Sequence, residues 1–266
     1  MQLQVGKTYQ SHRTDETIEM ENGGIIKFIR NESARKKSKK AIFLYDRSGL
    51  MAQPWLDAGY ECWLFDGQHE KGVHRYGNLV KVGMWFDPYL VNHHVREIRE
   101  LVGEGVRFVF GFPECTDMAV SGAAHFKKKR AANPNFQKEA MSLAMMVKKV
   151  GDSFDCKWGC ENPVSVLSTM WRKPDYSFHP WEYGGYLPEN DIHPEYPEYI
   201  KPRDAYPKKT CIWSGNGFVM PEKNSVCVEP GYSDQHKKLG GKSQKTKNIR
   251  SATPRGFAKA VFIFNQ

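Results

Sequence analysis

Four stretches of this chain carry side chains that could do chemistry together. GFPECTD (111–117) places a thiol, Cys115, just after the strongly apolar run VRFVF. On a loop at the carboxyl end of a strand, beside the helix start expected in DMAVSGAAHF, backbone amides and nearby cations can hold a cysteine as its nucleophilic thiolate. Glu161-Asn162-Pro163 follows DCKWGC in the same way, and a partly desolvated carboxyl there has a raised pKa and can donate a proton. Asp46-Arg47-Ser48-Gly49 is a Gly-bearing turn after AIFLY. Asp66 ends the next apolar run about twenty residues further on, the separation at which an acid can hydrogen-bond a ribose hydroxyl. Each has a plainer reading alone. A single Cys is most often a small buried hydrophobe, a lone Glu a helix cap, an Asp at a strand end a turn residue, and the turn lacks the GxGxxG glycines. Their succession on consecutive strand ends is what points to a site.

A shared site requires a parallel sheet, because open parallel sheets bind ligands in the crevice beyond the carboxyl ends of their strands. The residues from 41 onward predict one. AIFLY (41–45) and ECWLF (61–65) read as buried strands, separated by a short helix through Trp55 and Leu56 that stops at Gly59. LVKVGMWF (79–86) holds a third strand. Asp87-Pro88 then has N-cap and N1 chemistry for a helix carrying Leu90, Val91, Val95, Ile98, Leu101 and Val102, which stops at Gly103 or Gly105. VRFVF (106–110) is a fourth strand, a helix covers 136–150, and DCKWGC (155–160) is a fifth strand. Strands alternating with helices imply an α/β fold with a mostly parallel, doubly wound sheet. The stretch 171–210, crowded with Pro, Tyr and acidic residues, predicts an irregular, surface-displayed loop region with some β-structure. KTCIW (209–213) is again a strand, and Thr253 with Pro254 opens a C-terminal helix. Ahead of all this, ETIEM and IIKFIR around Asn22-Gly23-Gly24 predict a small β-rich appendage. The run from Arg35 to Lys40 reads as a linker, with a boundary near residue 38.

Composition narrows the class. In a chain of 266 residues, 40% hydrophobic and 13% aromatic content excludes wholesale disorder. No apolar run approaches the roughly 20 residues of a bilayer span, and the first residues lack a signal-peptide stretch, so a soluble, cytoplasmic protein is expected. Six cysteines without CxxC spacing argue against a disulfide framework or a structural zinc site. A net charge of +9, from 39 Lys and Arg against 30 Asp and Glu, suits a polyanion such as DNA. Lys127-Lys128-Lys129-Arg130 and the stretch Lys237–Arg250 could grip phosphates or be solvated surface. Trp171, Trp181 and Tyr183 could stack on bases or pack an irregular loop. A metal site from His93, His94, Cys156 and Cys160 is disfavoured. Adjacent helical histidines point about 100° apart, and Cys-x-x-x-Cys in a strand lacks the usual tight loop.

The order and local sequence of these motifs resemble the cytosine-5 DNA methyltransferase family, which uses S-adenosylmethionine. AIFLYDRSGLMAQPWLDAGY is similar to its first motif, GFPECTD to its Gly-x-Pro-Cys-Gln nucleophile motif and Glu161-Asn162-Pro163 to its Glu-Asn-Val motif. RSATPRGFAKAV resembles the last motif, whose helix returns to the cofactor site. The resemblance spans about residues 41–266. Within it, ENPVSVLSTMWRKPDYSFHPWEYGG and TPRGFAKA look like a short branch carried by bacteriophages. There are departures. Glu114 stands between Pro113 and Cys115, and Thr116 replaces the Gln. The first motif lacks the second and third glycines. The Gln-x-Arg-x-Arg motif has no clear counterpart, Arg172 or Arg250 being the substitutes, and the target-recognition region, 165–235, is small.

The resemblance implies a Rossmann-like methyltransferase fold over 39–266. It makes Cys115 the catalytic thiol and Glu161 the acid that contacts cytosine. Asp66 becomes the cofactor-ribose acid, with Asp46, Gly49 and Asp87 also at the cofactor, and Arg172, Arg250, Lys128 and Lys129 face DNA. The oligomeric state stays open with a monomer favoured, and no metal is expected. Its implied activity is methyl transfer from S-adenosylmethionine to C5 of a flipped cytosine, protecting phage DNA from host restriction. Two alternatives stay open: a member that binds nucleic acid or the cofactor without turnover, and an enzyme that modifies cytosine nucleotides with another one-carbon donor.

Overall fold

The computed structural model describes residues 17–19, 25–27, 39–231, 233–240 and 243–266. The chain divides into two compact units, Met1–Ser38 and Lys39–Gln266. In the first, β1 (Thr17–Glu19) pairs antiparallel with β2 (Ile25–Lys27), Ile18 opposite Ile26. The Asn22-Gly23-Gly24 turn and the run from Arg35 to Ser38 lie outside the described residues.

The second unit is α/β. Its strands are β3 (Lys40–Leu44), β4 (Glu61–Tyr76), β5 (Leu79–Gly83), β6 (Val106–Gly111), β7 (Lys157–Pro163), β8 (Tyr176–Phe178) and β9 (Thr210–Gly215). Among the described residues they form one seven-stranded sheet in the order β5-β4-β3-β6-β7-β9-β8. Strands β3 to β7 run parallel, and β9 lies antiparallel between β7 and β8. This is the doubly wound order 3-2-1-4-5-6 with one reversed strand inserted before the last. The winding changes direction between β3 and β6, so their carboxyl ends flank the switch point where such sheets hold ligands.

Both faces of the sheet are covered, which is why its central strands read as continuous apolar runs. Ile42, Leu44, Trp63, Phe65 and Val109 face α2 (Val91–Val102) and α4 (Phe136–Ser153). Ala41, Phe43, Cys62, Leu64, Phe108 and Phe110 share the opposite core with Trp55 of α1 (Gln53–Asp57) and Phe257, Ala258 and Val261 of α8 (Arg255–Asn265). In α2 the buried Val91, His94, Ile98 and Val102 recur at helical spacing.

Several elements depart from expectation. Asp87 Oδ1 accepts Tyr89 N at 2.8 Å, so Asp87-Pro88 closes a turn and α2 begins at Val91 with Leu90 as N-cap. Likewise α8 begins at Arg255 with Pro254, not Thr253, at the N-cap. No crossover helix joins β4 to β5. Cys62–Asp66 pairs in parallel with β5, after which the register descends from Val73 opposite Val82 to Tyr76 opposite Leu79. The chain therefore passes over the end of β5 and returns along its far edge. Gly83 permits the crossing, since a Cβ there would sit 2.0 Å from the Glu70 carbonyl oxygen.

The stretch 171–210 is not a surface display. Besides β8 it holds 3₁₀ turns at Pro180–Tyr186 and Pro202–Asp204, and it buries Phe178, Tyr183, Ile200, Tyr206, Asp191, His193 and Asp204. Its acidic residues serve as internal ties. Arg255 donates to Asp191 Oδ1 at 2.8 Å and Oδ2 at 2.5 Å, and Gly256 N donates to Asp204 at 2.8 Å, which fastens the stretch to the start of α8. The basic stretch beyond it contains α6 (Asp234–Lys238) and α7 (Gln244–Ser251). Two further helices, α3 (Phe126–Ala132) and α5 (Leu167–Met170), border the loops after β6 and β7. Among the described residues no helix is long and apolar enough to cross a membrane.

Candidate active site

Neighbouring strands β6 and β7 stand with Gly111 opposite Cys160, so the residues that follow each leave the same rim of the sheet. Gly111 lets α4 press close: a Cβ there would lie 2.3 Å from Val147 Cγ2. Glu161 and Asn162 are not on a loop, as the sequence suggests, but inside β7, opposite Ile212 and Cys211 of β9. A ladder position holds a side chain more firmly than a loop does. The loop after β6 is then laced to the segment after β7. Asn162 Nδ2 donates to Pro113 O at 3.0 Å, Val120 N to Val164 O at 3.0 Å, and Val166 N to Met118 O at 3.0 Å.

These bonds bring Cys115 and Glu161 within electrostatic reach of each other. Burial, and after it the Glu161 carboxylate, pushes the Cys115 thiol up, while Lys208 pulls it down. Burial also raises the Glu161 carboxyl, again opposed by Lys208, and Oε1 of Glu161 is buried without a hydrogen-bond partner. The expected helix N-terminus beside the thiol is replaced by a turn. Met118 N and Ala119 N both donate to Cys115 O, at 2.9 and 2.8 Å, and the next helical segment is 3₁₀, Val120–His125. Without helix amides the resting thiol keeps its proton.

The neighbouring strands β3 and β4 supply a second pole, joined to the first through Phe112 N, which donates to Leu44 O at 3.0 Å. Tyr45, at φ 58°, turns the chain sharply out of β3. Asp46 Oδ1 then accepts Gly49 N at 2.7 Å and Ser48 Oγ at 3.1 Å, and Gly49 takes φ +73°, a left-handed conformation suited to glycine. Asp46 is 2% exposed, its Oδ2 has no partner, and burial pushes its carboxyl up to about 6. Asp66 accepts Gln68 N at 2.7 Å and is likewise raised by burial; its charge adds to the rise at Asp46. A cavity of about 420 Å³ is lined by the residues that follow each acid in the chain, Arg47 and Ser48 on one side and Gln68, His69 and Glu70 on the other, with Lys81 and Glu195, but by neither acid itself. No contact among the described residues joins Asp87 to this pair: it is exposed and serves its own turn.

No protein-family model and no curated protein matches this chain. Its chemistry therefore rests on its own geometry.

Lys208, just ahead of β9, escaped the sequence reading. Its backbone N donates to His179 Nδ1 at 3.1 Å and its Nζ to Arg250 O at 2.9 Å, which steers a cation toward the thiol and the carboxyl. The signal available was the Lys pair in PKKTCIW before a strand, but only the pairing of β9 with β7 gives it meaning. The side chains of both suggested arginines are engaged with other partners. Arg172 is held by Asp175 at 2.6 Å and Ser214 O at 2.8 Å, and Arg250 donates to Leu239 O at 2.7 Å. Lys129 ties Thr116 O at 2.8 Å and Asp117 at 2.5 Å, bracing the loop behind Cys115, whereas Lys128 is exposed.

The other suggested groups serve the core. Trp171 is stacked between Trp158 and Trp213, with ring centroids 6.3 Å away on each side, and Tyr183 is fully buried, so neither offers a face to a base. Trp181 stacks on His179 at 6.4 Å. Among the described residues no group of three or more His, Cys, Asp or Glu side chains could hold a metal ion. His94 Nε2 accepts Asp87 N, and Cys160 Sγ lies 3.8 Å from Ala144 O in the core.

Proposed function

We propose that this chain is a DNA cytosine-5 methyltransferase using S-adenosylmethionine. The observation that carries the proposal is the convergence of Cys115, on the loop after β6, and Glu161, in the neighbouring parallel strand β7, on the rim that also holds the buried acids Asp46, after β3, and Asp66, in β4. Cytosine C5 is a poor nucleophile and needs a covalent activation. A thiol that keeps its proton at rest and a buried carboxylate near it can share that work. The Glu161 carboxylate takes the thiol proton, Cys115 Sγ forms a bond to C6 of the base, and Glu161 passes the proton to N3, which leaves C5 enamine-like. When bound, S-adenosylmethionine supplies an electrophilic methyl group for C5. A base then removes the C5 proton, the C6–S bond breaks, and N3 returns its proton to Glu161. Lys208 steadies the negative charge wherever it rests on the sulfur or the carboxyl.

The residues present fit such a cofactor. The unpartnered Asp46 Oδ2 would accept an ammonium N–H, Asp66 would take ribose hydroxyls, and Gly49 keeps the turn free of a side chain. The target base must leave the duplex to reach the rim, at a cost of a few kcal/mol, and a net charge of +9 favours the phosphate contacts that offset it. Carried by a bacteriophage, such an enzyme would act in the host cytoplasm and shield phage DNA from restriction.

Incubation with tritiated S-adenosylmethionine and DNA tests the proposal. Label should enter DNA with the wild type and not with Cys115→Ala. A protonated resting thiol and the extra Glu114 favour a second reading, a member that binds without turnover. Cofactor and DNA binding with no label from the wild type would decide for it.

A further inference from the structure

The edge of the sheet at β5 is covered unevenly. Cys62 and Leu64 of β4 share a core with Trp55 of α1 and Phe257 of α8. The crossover from β3 to β4 is α1, and by the handedness of such units a crossover from β4 to β5 would continue that cover, but no helix joins them. Lys81 of β5 lies opposite Leu64 on one side and His74 on the other, and Tyr76 lies opposite Leu79, so Lys81, His74 and Tyr76 share the uncovered face. The cavity of about 420 Å³ opens over them, closed by Arg47 in the turn after β3, by His69 where the chain crosses, and by Glu195. Its lining contains no aliphatic side chain and neither Asp46 nor Asp66. Among the described residues no carboxylate forms an ion pair with Arg47 or Lys81. The acids in the lining are engaged elsewhere: Glu70 Oε2 lies 3.9 Å from His74 Nδ1, and Glu195 accepts the Tyr196 hydroxyl. His69 turns Nε2 to Arg47 O at 3.3 Å and leaves Nδ1 buried without a partner among the described residues.

We infer that this cavity seats a small phosphomonoester, its phosphate held between Arg47 and Lys81. Charge selects the class. A phosphomonoester carries about −1.5 to −2 at pH 7, which two unpaired cations match and a single carboxylate does not. The Arg47 guanidinium offers a planar fork of donors to two phosphate oxygens, and the Lys81 ammonium adds a point charge. With both ring nitrogens protonated, His69 would donate through Nδ1 as well. Small-molecule pockets run from about 300 to 1,000 Å³, so 420 Å³ takes more than the phosphate alone, and walls without aliphatic side chains suit a sugar. S-adenosylmethionine has no phosphate and gives these cations no task. The site therefore stands apart from the cofactor's and goes beyond the proposed methyl transfer.

Calorimetry with ribose 5-phosphate tests this. Ribose 5-phosphate and inorganic phosphate should bind, and ribose should not. Arg47→Ala and Lys81→Ala should each weaken ribose 5-phosphate binding about tenfold or more, the loss expected for a hydrogen bond to a charged group, and Lys81→Arg should keep most of the affinity. Arg47 is exposed in its turn, so its variant tests the site even where Lys81→Ala disturbs the sheet edge. Saturating S-adenosylhomocysteine should leave ribose 5-phosphate in place. Equal affinity in wild type and either alanine variant overturns the inference, as does ribose that binds as tightly as its phosphate. Displacement by S-adenosylhomocysteine would make the cavity part of the cofactor's seat, and displacement by an unphosphorylated oligodeoxynucleotide would make the anion a DNA backbone phosphate; either result overturns it. So does a wild type that binds neither phosphate compound at millimolar concentration, and that result leaves the methyltransferase proposal standing.

Discussion

The two halves of the sheet rim are built in opposite ways. At β6 and β7 the reactive groups are assembled from a distance, by backbone and side-chain bonds between the loop after one strand and the segment after the other. At β3 and β4 each acid is arranged within its own turn, Asp46 by Ser48 and Gly49 and Asp66 by Gln68. Their electrostatics differ too. Glu161 is raised by burial and drawn partly back by the charge of Lys208. Asp46 is raised by burial and meets another acid, Asp66. The first half carries its own counter-charge. Each half leaves one buried carboxylate oxygen without a hydrogen-bond partner, Oε1 of Glu161 and Oδ2 of Asp46, and under the proposed function the ammonium of the cofactor would answer the second.

The largest expected effect separates the halves directly. Glu161→Gln should lower the single-turnover rate of methyl transfer by roughly 10²- to 10⁴-fold, the contribution of a positioned proton donor, and leave S-adenosylhomocysteine affinity unchanged. Asp66→Ala should do the reverse, weakening that affinity while alkylation of Cys115 by iodoacetamide keeps its pH dependence. Loss of cofactor affinity in Glu161→Gln would merge what the comparison divides.

A stability measurement sharpens it. Asn162 Nδ2 holds Pro113 O from a buried position, and Asn162→Ala leaves that carbonyl unpaired at about 1–3 kcal/mol. On the other side, Ser48→Ala removes a bond within a partly exposed turn and should cost no more than about 1 kcal/mol in a denaturant melt. Equal losses would mean that the rim is uniformly built.

Titration tells the halves apart by sign. The Asp46 carboxyl stands at about 6 in the fold against 3.8 unfolded, so it favours the protonated state. Its burial weighs against the fold above pH 6, and the penalty is relieved as pH falls through 6 toward 4. An ammonium seated on Asp46 needs the ionised form. Affinity for S-adenosylhomocysteine should therefore decline as pH falls through about 6, and Asp46→Asn should flatten the profile. At the other pole the Cys115 thiol is pushed up by burial and by Glu161 and pulled down by Lys208. The pH needed for alkylation should rise in the order Glu161→Gln, wild type, Lys208→Ala. An unshifted Lys208→Ala would remove the lysine from the site.

What the sequence revealed followed the same division. Asp46, Gly49 and Asp66 are legible because a turn after an apolar run is a local event. Cys115 and Glu161 are legible as residues at strand ends, yet nothing local tells that one sits in a ladder or that Asn162 laces the two loops. Lys208 becomes part of the site only through the pairing of β9 with β7. Asp87-Pro88 has the chemistry of a helix start and closes a turn instead, because the same carboxylate caps either. DGQHEKGVHRY offers no apolar alternation, so the returning edge of β4 is invisible without β5 to pair with. The acidic stretch after residue 186 looks solvated, and it is buried because Asp191 and Asp204 are matched by Arg255 and Gly256 far along the chain.

The smallest expected effect concerns two adjacent lysines that composition cannot distinguish. Lys129 is committed to Thr116 O and Asp117 and braces the Cys115 loop, whereas Lys128, one helical step away in α3, faces solvent. If Lys128 meets a phosphate, Lys128→Ala should reduce the slope of log affinity against log salt by about 0.9 on duplex DNA, with the same loss on any sequence. Thermal stability should not move. Lys129→Ala should instead slow methyl transfer by loosening the loop and leave the salt slope nearly intact. Anisotropy titrations at several salt concentrations read both. A slope unchanged in Lys128→Ala would place the phosphate path elsewhere on the surface and confine the role of α3 to holding the thiol's loop.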